Sequence, residues 1–212
     1  MDEQHQEASM RDIPSHEPSR GEKRRKELVV AAYQVLAQRG FEGLRVREVA
    51  ARAGVNIATL HYYFATKEEL VQGVVEYLMH QFLAVTAPVS KAYQGSAPEQ
   101  LKQVFADFQY QLEQEPAIFL VMNELHLVAP RNPDVYRALQ QLNTGWSAHI
   151  ESICIQGIQQ GFFRADLDPR LAASMIVALV KGMSLQAISH LDTLDGEQIG
   201  ATIVQSFSRA EV

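Results

Sequence analysis

The side chains best able to do chemistry lie in one short segment and its flanks. The segment is helix-sized, and its polar and aromatic residues can donate hydrogen bonds to phosphates or base edges, while the arginines beside it can pair with phosphates. This combination points to contact with a nucleic acid. The residues are Thr59, His61, Tyr62 and Tyr63, flanked by Arg45, Arg47 and Arg52.

The surrounding sequence has the features of two short helices joined by a tight turn. Ala50 is small enough for a close helix crossing, and Gly54 tolerates the positive φ of the turn. Asn56 can cap the second helix. An earlier helix supplies an apolar stripe for a three-helix core. The pattern predicts a helix-turn-helix, although a helical hairpin without a DNA role has similar features. The stripe comprises Leu28, Ala31, Ala32, Val35 and Leu36.

The sequence shows no signature of an enzyme. No His, Cys, Asp and Glu grouping has metal-binding spacing, no glycine-rich phosphate loop occurs, and no nucleophile lies beside a motif-level base. We therefore predict no catalytic residue, metal or cofactor. The single cysteine, Cys154, has no internal disulfide partner and is expected to be a small buried residue.

Charge is unevenly distributed along the chain. The whole sequence has a net charge of −6, yet Arg20 to Lys67 contains ten Lys and Arg residues against four Glu. A small basic module on a larger acidic body is typical of local phosphate contact. No apolar run approaches the roughly 18 residues that are needed to span a bilayer. We expect a cytoplasmic protein without a membrane partner.

Helix-capping patterns divide the chain into about nine helices and predict an all-α fold. We predict a disordered arm over residues 1–19, a helix-turn-helix domain over 20–66, and a ligand-binding and dimerisation domain over 67–212. Capping signals include Ser19 with Glu22, and Asn132 or Asp168 before proline. The predicted helices run over about 20–39, 46–53, 57–63, 67–86, 97–113, 116–128, 133–160, 169–190 and 196–208.

Several short motifs together resemble the N-terminal signature of the TetR family of regulators. The resemblance covers about residues 24–70 and implies an all-helical dimer whose C-terminal body binds a small ligand and releases DNA. The motifs are Gly40-Phe41, Val46-Arg47-Glu48-Val49-Ala50, Ala53-Gly54-Val55, Leu60-His61-Tyr62-Tyr63-Phe64 and Lys67-Glu68-Glu69-Leu70.

The resemblance also implies individual DNA contacts. Tyr63 and Lys67 should contact phosphates, with Lys67 in the first turn of its helix. Arg45 stands where Thr or Ser is common, so we favour a phosphate contact over a structural role. His61 stands where a Tyr is common, and Tyr62 can be either a DNA contact or structural. The candidates for base edges or adjacent backbone are Arg47, Asn56, Ala58 and Thr59.

The helix predicted over 169–190 is apolar nearly all round, so it must be buried on both sides. We expect one side to face a second subunit, because one helix-turn-helix reads only a short half-site. The alternative is a central core helix of a monomer. The predicted interface residues are Leu171, Met175, Leu179, Ile199, Ile203 and Phe207.

A ligand cavity is typically apolar and aromatic with a few polar groups. Several body helices carry such residues, although a lone histidine on an apolar helix is more often a core residue. The candidates for effector contact are Phe105, Phe108, Gln109, Asn123, His126, Trp146, His149 and Met183.

The sequence therefore predicts a repressor that binds a palindromic double-stranded DNA operator as a homodimer and is released by a small apolar or aromatic ligand. The alternative is a DNA-binding regulator or activator that a partner or its own abundance controls. The sequence names neither the effector nor the operator.

Overall fold

The computed structural model describes residues 19–92, 95–189 and 195–209. Of the arm predicted over residues 1–19, residues 1–18 lie outside the described residues, and Ser19 is the N-cap of the first helix. The described residues form nine α-helices and one short 3₁₀ turn, Ala129–Arg131, with no β-strand among them. The helices are α1 Arg20–Gly43, α2 Val46–Arg52, α3 Ile57–Tyr63, α4 Lys67–Ala92, α5 Ala97–Gln114, α6 Pro116–Val128, α7 Pro133–Gln159, α8 Pro169–Ile188 and α9 Gly196–Phe207.

The capping residues that the sequence indicated begin several of these helices. Ser19 and Glu22 form a reciprocal capping box at α1. Asn56, Asn132 and Asp168 each accept backbone hydrogen bonds from the first turns of α3, α7 and α8. These bonds satisfy N–H groups that have no partner within the helix. The all-α prediction is confirmed, with helix ends shifted by a few residues.

The first helix is broken at Gly40 rather than ended there. Gly40 has φ +65°, a backbone conformation that favours glycine, and helical structure resumes until Gly43. A Cβ on Gly40 would lie 3.1 Å from Oε1 of Glu124 on α6. The break therefore allows α6 to approach the end of α1 closely.

Two hydrophobic clusters form the core. The first joins α1–α4 to one face of α6 and to the beginning of α7. The second joins α5, the second half of α7, α8 and α9, and includes Phe119 of α6. Because α6 contributes to both clusters, a movement of α6 changes the packing on both sides. This helix connects the basic end of the protein to the body.

Candidate nucleic-acid interface and effector site

The helix-turn-helix has the local geometry that its sequence predicted. Ala50 is almost fully buried, and Gly54 has φ +66° in the turn. The Asn56 side chain accepts from the Thr59 backbone N–H at 2.7 Å and from the Thr59 hydroxyl at 2.9 Å. Leu60 anchors the inner face of α3 in the first core cluster. The outer face of α3 is thereby held in a fixed orientation.

The exposed face of this unit is basic and aromatic. Arg45 is the N-cap residue of α2, but its side chain is exposed and makes no capping hydrogen bond. Arg47, Ala58 and His61 are also exposed. Tyr62 is 83% exposed, which argues against the alternative that it is a structural residue. These side chains can reach a DNA groove and its phosphates without rearranging the core.

Four of the predicted DNA contacts already have internal partners. The oxygen of Asn56 and the hydroxyl of Thr59 are bonded to each other, which leaves the Asn56 Nδ2 amine for a base. Tyr63 is half-buried against the first core cluster. Lys67 Nζ donates to the Phe41 carbonyl at 3.1 Å and lies 4.1 Å from the centre of the Phe41 ring. The phosphate contact of Lys67 stays a prediction.

The backbone of Phe41 connects the helix-turn-helix to two body helices. Its N–H donates to Glu124 Oε1 on α6 at 2.9 Å, and its carbonyl accepts from Lys67 at the beginning of α4. Both bonds involve a charged side chain, which makes them stronger than neutral hydrogen bonds. We call this set of contacts the Phe41 joint. Through these bonds α4 and α6 each contact the end of α1 directly.

A buried tyrosine pair lies in the same interdomain packing. The rings of Tyr33 on α1 and Tyr77 on α4 have centroids 5.5 Å apart. Burial raises the pKa of Tyr33 to about 12, with Glu115 adding to the effect, and the Tyr33 hydroxyl has no hydrogen-bond partner among the described residues. A shift of the body would therefore reach α1 through this pair and through the Phe41 joint.

The predicted effector residues do not all lie together. Asn123 and His126 lie on α6, Met183 is buried on α8, and Trp146 is half-buried against the second cluster. His149 is exposed instead, because the buried stripe of α7 passes through Ile150 and Ile153. Pairing His149 with Trp146 in one cavity is therefore not supported.

Three of the effector candidates serve the core instead. Phe105 is fully buried and lies against Gly200 of α9, and Phe108 packs edge-on to Phe119 with centroids 5.1 Å apart. The Gln109 side-chain oxygen accepts from the Gly196 N–H at 2.6 Å, so it holds the beginning of α9. An open depression of about 420 Å³ on α7 is lined by Arg137, Gln140, Gln141 and Thr144, none of which was predicted.

Two family models together match most of the described chain. The model for bacterial regulatory proteins of the tetR family matches residues 28–74. The model for the C-terminal part of BetI-type transcriptional repressors matches residues 97–209, more than half of the chain. This chain belongs to the TetR family. The resemblance seen in the N-terminal motifs is confirmed, and the protein is a DNA-binding transcriptional regulator of a family that consists of regulators rather than enzymes.

Individual relatives of this TetR-family regulator agree with the assignment. The fatty acid metabolism regulator protein of Bacillus subtilis is 27% identical over 154 residues, covering 73% of this chain and 78% of its own. A putative TetR-family regulator from Rhodococcus sp. has a TM-score of 0.78 at 25% identity, covering 87% and 98%. The FadR regulator of Bacillus subtilis, solved with stearoyl-CoA, has a TM-score of 0.73 at 23% identity, covering 85% and 95%.

One side of α8 in this TetR-family protein carries apolar side chains that none of the described residues of the protomer covers. Leu171, Met175 and Leu185 are each more than half exposed, and the small residues Ala178 and Gly182 lie between them. By length and composition α8 is also the one helix, within the described residues, that could cross a membrane. The expectation that no apolar segment is long enough to span a bilayer was therefore wrong for α8. Its uncovered stripe also fits a subunit interface.

The predicted contribution of α9 to that interface needs correction. Phe207 is buried inside the protomer, with its ring centroid 5.9 Å from that of Phe163. Leu179, Ile199 and Ile203 are half-buried against the second cluster rather than fully on the uncovered side. The reason is the close approach of α9 to α5 through Gly196 and Gly200, which the periodicity of the isoleucines did not reveal.

Sequence reasoning missed several residues of the joint and the surface. Glu124 and Phe41 are 83 residues apart, and no local pattern indicates their bond. Lys181 carried a signal, since it is the one charged residue after Arg170 in an otherwise apolar helix. Leu120 and Leu127 are exposed on α6, outside the stripe that packs into the core.

Proposed function

We propose that this regulator is a homodimeric repressor that binds a palindromic operator and releases it when a small apolar or aromatic molecule binds the body. The helix-turn-helix extends over residues 20–66 and the effector and dimerisation body over residues 67–212. The observation that carries the proposal is the Phe41 joint, because it connects the DNA-reading unit to α6, a helix of the body.

The DNA contacts follow from exposure and charge. Arg45, Arg47 and Tyr62 have exposed side chains on the outer face. Phosphate contacts position the unit, and the Asn56 amine, Arg47, Ala58 and Thr59 face the bases or the adjacent backbone. His61, Tyr63 and Lys67 add contacts to the DNA backbone from the last turn of α3 and the beginning of α4. A cytoplasmic location follows from a DNA partner.

Two copies are needed because one short recognition helix reads few base pairs. Half-sites one helical turn apart lie about 34–36 Å from each other, so the two recognition helices must keep a fixed separation. The uncovered side of α8 supplies the apolar surface for pairing two protomers. Burying it in a dimer also removes a patch that would favour nonspecific association.

Release follows from the position of α6 between the two core clusters. An effector that binds among the body helices and prefers a displaced α6 also prefers a displaced Phe41, and therefore a different separation of the recognition helices. A coupling free energy of about 1–3 kcal/mol weakens DNA binding by roughly 5- to 150-fold. The stearoyl-CoA in the FadR structure supports a body that accepts small molecules.

The test is a selection of duplex DNA from a randomised library with the full-length protein, followed by fluorescence anisotropy on the selected duplex. We expect a palindromic site and a binding constant that falls steeply with salt. Arg47→Gln should weaken binding and change the preferred bases, whereas Arg131→Gln, an exposed arginine on the 3₁₀ turn, should have no effect. Failure to select any duplex would contradict the proposed function.

A further inference from the structure

A polar seam crosses the packing between α6 and α8. The Asn123 Nδ2 amine donates to the Ser184 hydroxyl at 3.2 Å and to the Phe119 carbonyl at 2.9 Å. The Ser184 hydroxyl donates in turn to the Lys181 carbonyl at 2.8 Å. Of these bonds, the one between Asn123 and Ser184 joins the two helices, one turn away from His126 and Lys181. We call these four side chains, Asn123, His126, Lys181 and Ser184, the α6–α8 seam.

His126 presents a buried nitrogen without a partner. Its Nδ1 lies 2.7 Å from the Met122 carbonyl, which can only accept, so Nδ1 carries the hydrogen. The opposite nitrogen, Nε2, is buried and has no hydrogen-bond partner among the described residues. Burial lowers the pKa of His126, and the neighbouring charge of Lys181 lowers it further. A buried nitrogen left unpaired costs free energy, so Nε2 favours a ligand that either donates to it or, as an anion, holds a proton on it.

Lys181 presents a half-buried cation without a counterion. None of the ion pairs formed by the described residues includes it. Burial lowers the pKa of its ammonium group. Lys181 precedes Ser184 by three residues and His126 follows Asn123 by three, so each lies about one turn from the Asn123–Ser184 bond, and the charge of Lys181 acts on His126. A cation that is partly desolvated and unpaired favours an anion at this place.

The surface around the seam is apolar. Leu120 and Leu127 are exposed on α6, and Leu185 is exposed on α8. Met122 and Leu125 of α6 are buried behind it. An anion held here would therefore have hydrocarbon neighbours rather than further polar groups. The ligand that fits has one charged end and an apolar body.

We propose that the effector is a carboxylic acid with an apolar body and that its carboxylate binds Lys181 Nζ and His126 Nε2. This inference rests on the proposed function and names the chemical class of its effector. One carboxylate oxygen accepts from the lysine ammonium group. Binding takes up one proton from solvent at His126 Nε2, because the anion offsets the burial and the Lys181 charge that disfavour the imidazolium form, and the Nε2–H then donates to the second oxygen.

The same geometry discriminates against other small molecules. A quaternary ammonium compound would bring a second positive charge beside Lys181 and is repelled. A neutral alcohol can satisfy His126 Nε2 but leaves the lysine without a counterion. Asn123 is followed directly by Glu124 in the sequence, so an acid that moves the seam also acts on the carboxylate that holds Phe41.

The experiment is isothermal titration of the full-length protein with two acids and their matched alcohols. The probes are decanoate with 1-decanol, and 4-phenylbutanoate with 4-phenyl-1-butanol. We expect at least one acid to bind about tenfold more tightly than its alcohol, which corresponds to about 1.4 kcal/mol. Lys181→Met should make the affinities of that acid and its alcohol equal. Lys102→Met, at an exposed lysine of α5, should leave the difference intact.

The variant itself is expected to fold, because Lys181→Met removes an unpaired, half-buried cation from an apolar helix. Its thermal unfolding midpoint should equal or exceed that of the parent. Equal affinities of acid and alcohol for the parent would overturn acid recognition while leaving an apolar effector in place. Absence of binding by both acids would overturn it as well.

Two further measurements separate this inference from the proposed function. Operator binding without any ligand reports the proposed function alone, and its absence would contradict that function whatever the acids do. Sedimentation of Lys181→Met reports whether the lysine instead pairs with a carboxylate of a second copy. A dimer that dissociates more readily, without acid discrimination in the parent, would overturn the effector site.

Discussion

The carboxylate of Glu124 accepts a hydrogen bond from the backbone N–H of Phe41, with 2.9 Å between Oε1 and the nitrogen. The bond joins α6 to the end of α1 just past the break at Gly40, where a residue with positive φ ends the regular helix. Lys67 holds the carbonyl of the same residue from α4. Side chains from α6 and α4 therefore bond to both the N–H and the carbonyl of Phe41.

The first prediction concerns the strength of the hydrogen bond between Glu124 and the Phe41 N–H. Glu124→Ala should expose the Phe41 amide and raise its hydrogen-exchange rate by about tenfold or more, because a charge-assisted bond contributes about 1.5–3 kcal/mol. Glu124→Gln keeps an acceptor at the same place and should preserve most of the protection. Amide exchange followed by NMR measures both. Equal exchange in the parent and Glu124→Ala would show that another group protects this amide.

Lys67 should have two separable roles. Lys67→Met removes the bond to the Phe41 carbonyl and the cation over its ring, and should lower the free energy of unfolding by about 1–2 kcal/mol. If Nζ also contacts a phosphate, the salt dependence of operator binding should become shallower by about one unit. Denaturant unfolding and anisotropy at several salt concentrations measure the two effects. An unchanged salt dependence would restrict Lys67 to the joint.

Asn56 should combine a structural and a reading role. Asn56→Ala removes the cap of α3 and should cost about 0.5–2 kcal/mol of stability. Asn56→Asp keeps a capping oxygen, so stability should change little. It also replaces the amine with a negative charge facing the DNA, so operator affinity should fall sharply. Normal operator binding by a stable Asn56→Asp protein would place Asn56 outside the interface.

Pairing of protomers should depend on the uncovered side of α8. Met175→Glu places a charge on a side chain that is 55% exposed in the protomer, so folding should persist while the dimer dissociates. Ile155→Glu introduces the same residue at a 40% exposed position of α7 and should leave the dimer intact. Sedimentation equilibrium distinguishes the two. A dimeric Met175→Glu protein would move the interface away from this side of α8.

The sequence predicted the features that depend on local order. Helix beginnings at Asn56, Asn132 and Asp168 were correct because a capping side chain and the N–H groups it satisfies lie within three residues. The positive φ of Gly54 was correct for a similar reason, since the turn of a helix-turn-helix is short. The family motifs fall within the same local segment.

Features that depend on distant packing were predicted less well. Periodicity placed Phe207 on an interface, but the two glycines of α9 allow it to approach α5 so closely that Phe207 is buried in the protomer. Gln109 has the composition of a pocket residue, yet its oxygen holds Gly196 from 87 positions away. The contacts of the Phe41 joint were missed for the same reason, because their residues come from three helices that are distant in the sequence.

The central claim is that α6 transmits effector binding to the DNA-reading unit through Glu124 and Phe41. The most direct test is fluorescence anisotropy of the selected operator with the parent, Glu124→Gln and Glu124→Ala, each titrated with an acid established as a ligand. The account predicts release for the parent and Glu124→Gln, and an operator that remains bound to Glu124→Ala when the acid saturates its site. Release from Glu124→Ala at the same acid concentration as from the parent would contradict it.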